Sequence, residues 1–89
     1  MDKLPVGSYF PVNVYSVLQG NGTLTRGKGT ANEDGQTFCC GDFDRHDLPD
    51  IGKKYKIIVN EESTGNHIEF LGICVDAGVT SCFKLEDFV

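Results

Sequence analysis

Apolar and β-favouring positions along this chain recur at every second residue. The stretch Phe10–Leu18 sets Val12 and Val14 against Asn13 and Tyr15. Thr23–Ala31 sets Thr23, Thr25, Gly27 and Gly29 against Leu24, Arg26, Lys28 and Thr30. Lys54–Asn60 sets Tyr55, Ile57 and Val59 against Lys56 and Ile58. Gln36–Phe43, His67–Val75 and Val79–Leu85 are further short runs rich in β-branched and aromatic residues. A period of two is the signature of a strand with unlike faces, and β-branched and aromatic residues fit a pleated surface. Helical spacing is missing: no window places apolar residues at i, i+3, i+4 and i+7 behind a cap, and Gly, Pro or Asn interrupts almost every ten residues.

The breaks between runs carry turn chemistry. Asp34-Gly35 is a hairpin signal, since glycine enters positive φ without a Cβ clash. Gly65 falls in the connection Glu61–Asn66. Pro49 and Gly52 restrict "DRHDLPDIGKK" to an ordered connection, with a helical turn expected near Asp44–Leu48. The resulting order is a long bent strand, a hairpin, a connection, a second hairpin and a short closing strand. It predicts an all-β fold: one domain over residues 1–89, a small five- to six-stranded barrel that is OB-like, with an SH3-like barrel as the competing arrangement. Periodicity does not separate those two.

Composition narrows the function classes. Hydrophobic residues make up 39% of the 89, with 11 glycines, which suits a compact, turn-rich domain and not a disordered chain. No apolar run approaches the ~20 residues of a membrane-crossing helix. "MDKLPVGSYF" has no apolar core with a small-residue cleavage site, so a cytoplasmic location is expected. On that expectation the four cysteines, Cys39, Cys40, Cys74 and Cys82, read as free buried thiols. Asn21-Gly22-Thr23 matches a glycosylation acceptor, relevant only to an exported chain.

Net charge is −5 and the isoelectric point about 4.7, which opposes polyanion binding through bulk charge. The bases nevertheless collect at Arg26/Lys28 and Lys53/Lys54/Lys56, whereas Glu33, Asp34, Asp42, Asp44, Asp47 and Asp50 crowd the middle of the chain. Arg26 and Lys28 share a strand face, with glycines alongside that would let a backbone or a phosphate approach closely. A solvated hairpin face is the commoner outcome for such a pair. Tyr15 beside Asn13 is the best candidate for an exposed aromatic. Phe38 and Phe43 have opposite parity, so one of them is expected to point outward. Bases stacking on such aromatics would complete a single-strand binding surface. Tyr55, in phase with Ile57 and Val59, reads as core.

Enzyme chemistry finds little support. Cys39 and Cys40 are neighbours, which on a strand point to opposite faces, and no C-x-x-C knuckle accompanies them. A mixed site drawing on His46, Cys74 and Cys82 lacks the spacing of a metal centre. His46 and His67 have acids close by (Asp44, Asp47; Glu69) but no nucleophile motif. "GKGT" does not have the spacing of a phosphate loop. No catalytic residue, metal or cofactor is expected.

Taken together, "VNVYSVLQGNGTLTRGKGTANEDGQTF" and "LPDIGKKYKIIVNEESTGNHIEFLGICV" resemble small OB-fold single-stranded nucleic-acid-binding proteins, of the compact helix-destabilising type of filamentous phages. The likeness lies in length, the Gly/basic second strand, the turn before the third, and the P-x-x-G-K-x-Y step at Pro49–Tyr55. The resemblance implies an extended strand lying across a basic, aromatic-lined sheet, cooperative binding and a possible homodimer. It also likens "LEDFV" at Leu85–Val89 to the acidic, apolar-ended tails by which some such proteins recruit partners. The expected function is therefore non-catalytic binding of single-stranded nucleic acid, as in phage or mobile-element replication. Arg26, Lys28, Lys53, Lys54 and Lys56 would meet phosphate, and Tyr15 with Phe38 or Phe43 would stack. The competing expectation is a protein-interaction module or inhibitor whose acidic surface, Glu33 to Asp50, docks on a host enzyme.

Overall fold

The computed structural model describes residues 3–16, 23–60 and 65–89. The glycosylation triplet's Asn21 and Gly22 and most of the Glu61–Asn66 connection lie outside the described residues. Six strands follow in chain order: β1 (Gly7–Ser16), β2 (Thr23–Ala31), β3 (Thr37–Gly41), β4 (Lys54–Asn60), β5 (His67–Asp76) and β6 (Thr80–Phe88). They close into an antiparallel barrel in the order β1-β2-β3-β6-β5-β4. The expected all-β, OB-like barrel is thus realised with six strands. The described residues contain no helix long and apolar enough to cross a membrane.

Closure joins two three-stranded meanders. β1-β2-β3 and β4-β5-β6 form by local hairpins, and two long-range seams, β1–β4 and β3–β6, seal them together. The last strand runs further than the sequence pattern suggests, continuing through Phe88, which pairs with Phe70 and packs against the core. Leu85 N–H donates to the Gln36 carbonyl and Val89 N–H to that of Glu69. The "LEDFV" segment is therefore a strand and not a free tail.

Inward positions follow the period of two. Val12, Val14, Phe38, Ile57, Phe70 and Phe83 are fully buried, and Tyr55, as expected, joins them. Phe38 meets Phe70 edge-on at 5.6 Å between centroids, and Tyr55 meets Phe83 at 5.7 Å, arrangements that add to simple burial. Gly27 and Gly29 occupy inward positions of β2. A Cβ at Gly27 would collide with the Gly41 carbonyl, and one at Gly29 with the Phe38 ring. Of the two approaches expected at these glycines, a backbone or a phosphate, their inward side admits the barrel's own β3.

The two ends of the barrel differ. At one, the β2–β3 turn holds Gly35 at φ +67°, and its carbonyl accepts the Leu4 N–H. Asp34 Oδ1 caps that turn by accepting the N–H groups of Gln36 and Thr37. At the other lie the β3–β4 connection and the β5–β6 turn. The connection is ordered, as expected, and makes two turns without a helix, the Asp47 N–H bonding to the Asp44 carbonyl and the Lys53 N–H to that of Asp50.

Cys39 and Cys82 are directly opposed across the β3–β6 seam and are joined by a disulfide. This corrects the free-thiol expectation for that pair; Cys40 and Cys74 are free and buried. The reason is register: only the seam places Cys39 and Cys82, 43 residues apart, at a Cα separation of 4.0 Å.

Two outcomes are expected from this packing. Gly29→Ala drives a methyl into the Phe38 ring and should lower the unfolding free energy by about 1–3 kcal/mol, measured by urea denaturation. Reducing the disulfide releases a long loop in the unfolded chain and should cost about 2–4 kcal/mol, read from the same titration with and without reductant.

Candidate nucleic-acid interface

The outer face of β1, β2 and β3 carries the side chains the inward glycines leave on top. Arg26 and Lys28 are both exposed on β2, on the same side as expected. A bulge in β1 between Tyr9 and Val12 breaks the alternation and turns Phe10 outward, leaving its ring 41% exposed. Lys28 Nζ lies 5.9 Å from the Phe10 centroid, within cation–π range. The sequence pattern ranks Phe10 behind Tyr15 as the exposed aromatic of β1, because the period of two cannot register an inserted residue.

These residues border a groove of 590 Å³ whose lining also includes Thr30, Cys39, Thr80 and the acidic Asp42. The outward half of β3 that carries Cys39 is thereby held to β6 by the disulfide. Along β1 the outer face continues to Asn13, opposite Arg26, and to the half-buried Tyr15, opposite Lys56. Phe10 and Tyr15 stand five residues apart, roughly 15 Å along an extended strand.

The remaining expected bases are not brought to this groove as free charges. Lys53 pairs with Asp50 at 3.5 Å, Lys54 with Glu86 at 3.0 Å and Lys56 with Glu69 at 3.7 Å. Of the five bases, only Arg26 and Lys28 have no carboxylate within ion-pair distance among the described residues. Phe38 and Phe43 are both core residues, 0% and 3% exposed, so neither offers a ring for stacking. The parity argument fails for Phe43 because β3 ends at Gly41. The chain then turns inward, and the Phe43 N–H bonds to the Val79 carbonyl.

The carboxylates do not converge as one surface either. Glu33 and Asp34 belong to the β2–β3 turn, at the opposite end of β3 from Asp42, Asp44, Asp47 and Asp50. Asp44 Oδ1 is engaged by the His46 N–H at 2.9 Å, and Asp50 by Lys53.

His46 and His67 lie at opposite ends of the barrel, and His67 Nε2 faces Glu69 at 3.3 Å. Among the described residues no group of three or more His, Cys, Asp or Glu side chains is placed to hold a metal ion. The buried Cys40 thiol is pushed up from 9.0 to about 12, chiefly by loss of water and then by its neighbour Cys74. Burial also raises Cys74, opposed by its hydrogen bond to the Asp76 carbonyl. Both thiols are therefore protonated and unreactive at neutral pH.

Fold and groove together define the class: a small closed β-barrel with a cationic, aromatic-bearing outer groove. No family model, curated protein or solved structure matches the chain.

The thiol shift has a consequence for stability. Below pH 9 the Cys40 thiol keeps its proton in both folded and unfolded chains. Between pH 9 and about 12 only the unfolded chain releases it, so stability falls with rising pH across that window. Urea titrations through the window should show a steeper decline for the parent than for Cys40→Ala.

Proposed function

We propose that this protein binds single-stranded nucleic acid, without catalysing a reaction on it, along the outer face of β1 and β2. The observation that carries the reading is the Arg26–Lys28–Phe10 constellation. It consists of two cations with no carboxylate partner among the described residues, beside an exposed ring at the lip of an open groove. Single-strand binders need just these parts, a charged track for phosphate and a flat apolar face on which bases of any sequence stack. Tyr15 would continue the stacking track along β1.

Net charge −5 does not oppose this locally, because the counter-charges are placed elsewhere. Three lysines are neutralised by ion pairs, and most of the acidic residues among the described ones lie at the barrel's ends. At physiological salt, charges further away than a Debye length of ~8 Å act weakly on a bound phosphate. Asp42, which also lines the groove, is the exception and opposes a phosphate bound beside it.

The reading sets a modest electrostatic contribution. Two or three phosphate contacts give a log–log salt slope of about −1.5 to −2 on single strands, whereas five free bases would give about −3.5. Fluorescence-anisotropy titration of a labelled oligonucleotide at several salt concentrations measures it. Arg26→Glu with Lys28→Glu should remove most of the slope, and Phe10→Ala should cost about 1–3 kcal/mol of binding at any salt. Absence of binding at low salt, or a slope untouched by the charge reversals, would overturn the reading.

A further inference from the structure

Seven large apolar side chains remain exposed among the described residues, and four of them, Leu48, Ile51, Val75 and Val79, belong to one end of the barrel. They come from two segments tied together by backbone hydrogen bonds. Gly52 N–H donates to the Cys74 carbonyl at 2.8 Å, bringing Ile51 and Val75 onto adjacent backbone. Phe43 N–H donates to the Val79 carbonyl at 3.0 Å, holding the β5–β6 turn against the start of the connection. The four side chains are between 39% and 67% exposed. A solvated connection could readily use polar residues at such positions, and apolar groups gathered at one end mark a contact surface.

The same end carries Asp42, Asp44, Asp47, Asp50 and Asp76, all exposed. Arg45 and Lys53 stand against them, and Lys53 is already paired with Asp50. An exposed apolar patch within an excess of negative charge selects its occupant by complementarity. Nucleic acid would be repelled. A second copy of this chain, docking by the same end, would bring two such sets of carboxylates together.

We propose that this end of the barrel docks a cationic amphipathic segment of another protein. Its apolar side chains would seat on Leu48, Ile51, Val75 and Val79, and its Lys or Arg side chains would face the aspartates. This surface adjoins the Arg26–Lys28–Phe10 groove at Asp42 but shares none of those three residues, and it does not depend on nucleic-acid binding there. It takes over the interaction role that sequence patterning gave to the whole acidic run, but places it on one end only. Glu33 and Asp34 have no part in it.

The test uses the full chain and two labelled peptides of equal length and charge, one alternating Lys with Leu and the other Lys with Ser, titrated by fluorescence anisotropy. The Lys/Leu peptide should bind about tenfold more tightly or better, and Ile51→Ser with Val79→Ser should remove about tenfold of that affinity. Arg26→Glu should not weaken it. Leu48→Ser with Val75→Ser is an independent second pair, and unfolding midpoints confirm that either pair leaves the fold intact. Equal binding of the two peptides would reduce the surface to bulk charge and overturn the proposal. So would no binding at low salt, or affinity unchanged in a folded double variant.

Discussion

The ring of Phe38 lies where a side chain at position 29 would have to be, and the Gly41 carbonyl lies where one at position 27 would be. Much of the barrel rests on this approach of β3 to β2. A six-stranded barrel has a narrow interior, and its strands must coil tightly to close. With side chains at both inward positions of β2, β3 could not come close enough to carry Phe38 into contact with Tyr9 and Phe70. The β3–β6 seam, with its disulfide, depends on the same geometry. The glycines act on the outside as well, since the residues alternating with them, Arg26 and Lys28, stand on a strand drawn in close to the core.

Strand pairing also sorts the charges. The ladder places Lys54 and Lys56 on β4 within reach of Glu86 on β6 and Glu69 on β5. Exposed pairs of this kind contribute little to stability, but they do neutralise local potential. What remains is a molecule with distinct regions. A small cationic area with an exposed ring lies on the side of β1 and β2, an acid-rimmed apolar area lies at one end, and a hydrogen-bonded acidic turn lies at the other. A net charge summed along the chain cannot express that separation.

The strand map was legible because each strand has one buried face, so burial imprints a period of two. Tyr55 in the core, the opposite facing of Cys39 and Cys40, and the Asp34-Gly35 turn all followed from local rules. The misses share a cause. Phe43 lies beyond the end of its strand, where parity lapses. Phe10 lies on a bulge that inserts a residue. The Cys39–Cys82 bond and the Lys54–Glu86 and Lys56–Glu69 ion pairs join residues remote in sequence, and Phe88 gains its place by pairing with Phe70. In each case the deciding partner comes from another strand or from an irregularity no repeat encodes.

The candidate surface divides in the same way. By itself the sequence determined that Arg26 and Lys28 share one exposed face, since alternation on a single strand needs no other information. The tertiary structure decided that Phe10 and not Phe38 or Phe43 stands beside them, that Lys54 and Lys56 are paired with Glu86 and Glu69, and that the acidic run is split between two ends of a barrel. Local geometry fixes which way a side chain points along its own strand. Which charges and rings become neighbours is set by register between strands, across the hairpins as well as the seams, and no single strand's alternation contains that register.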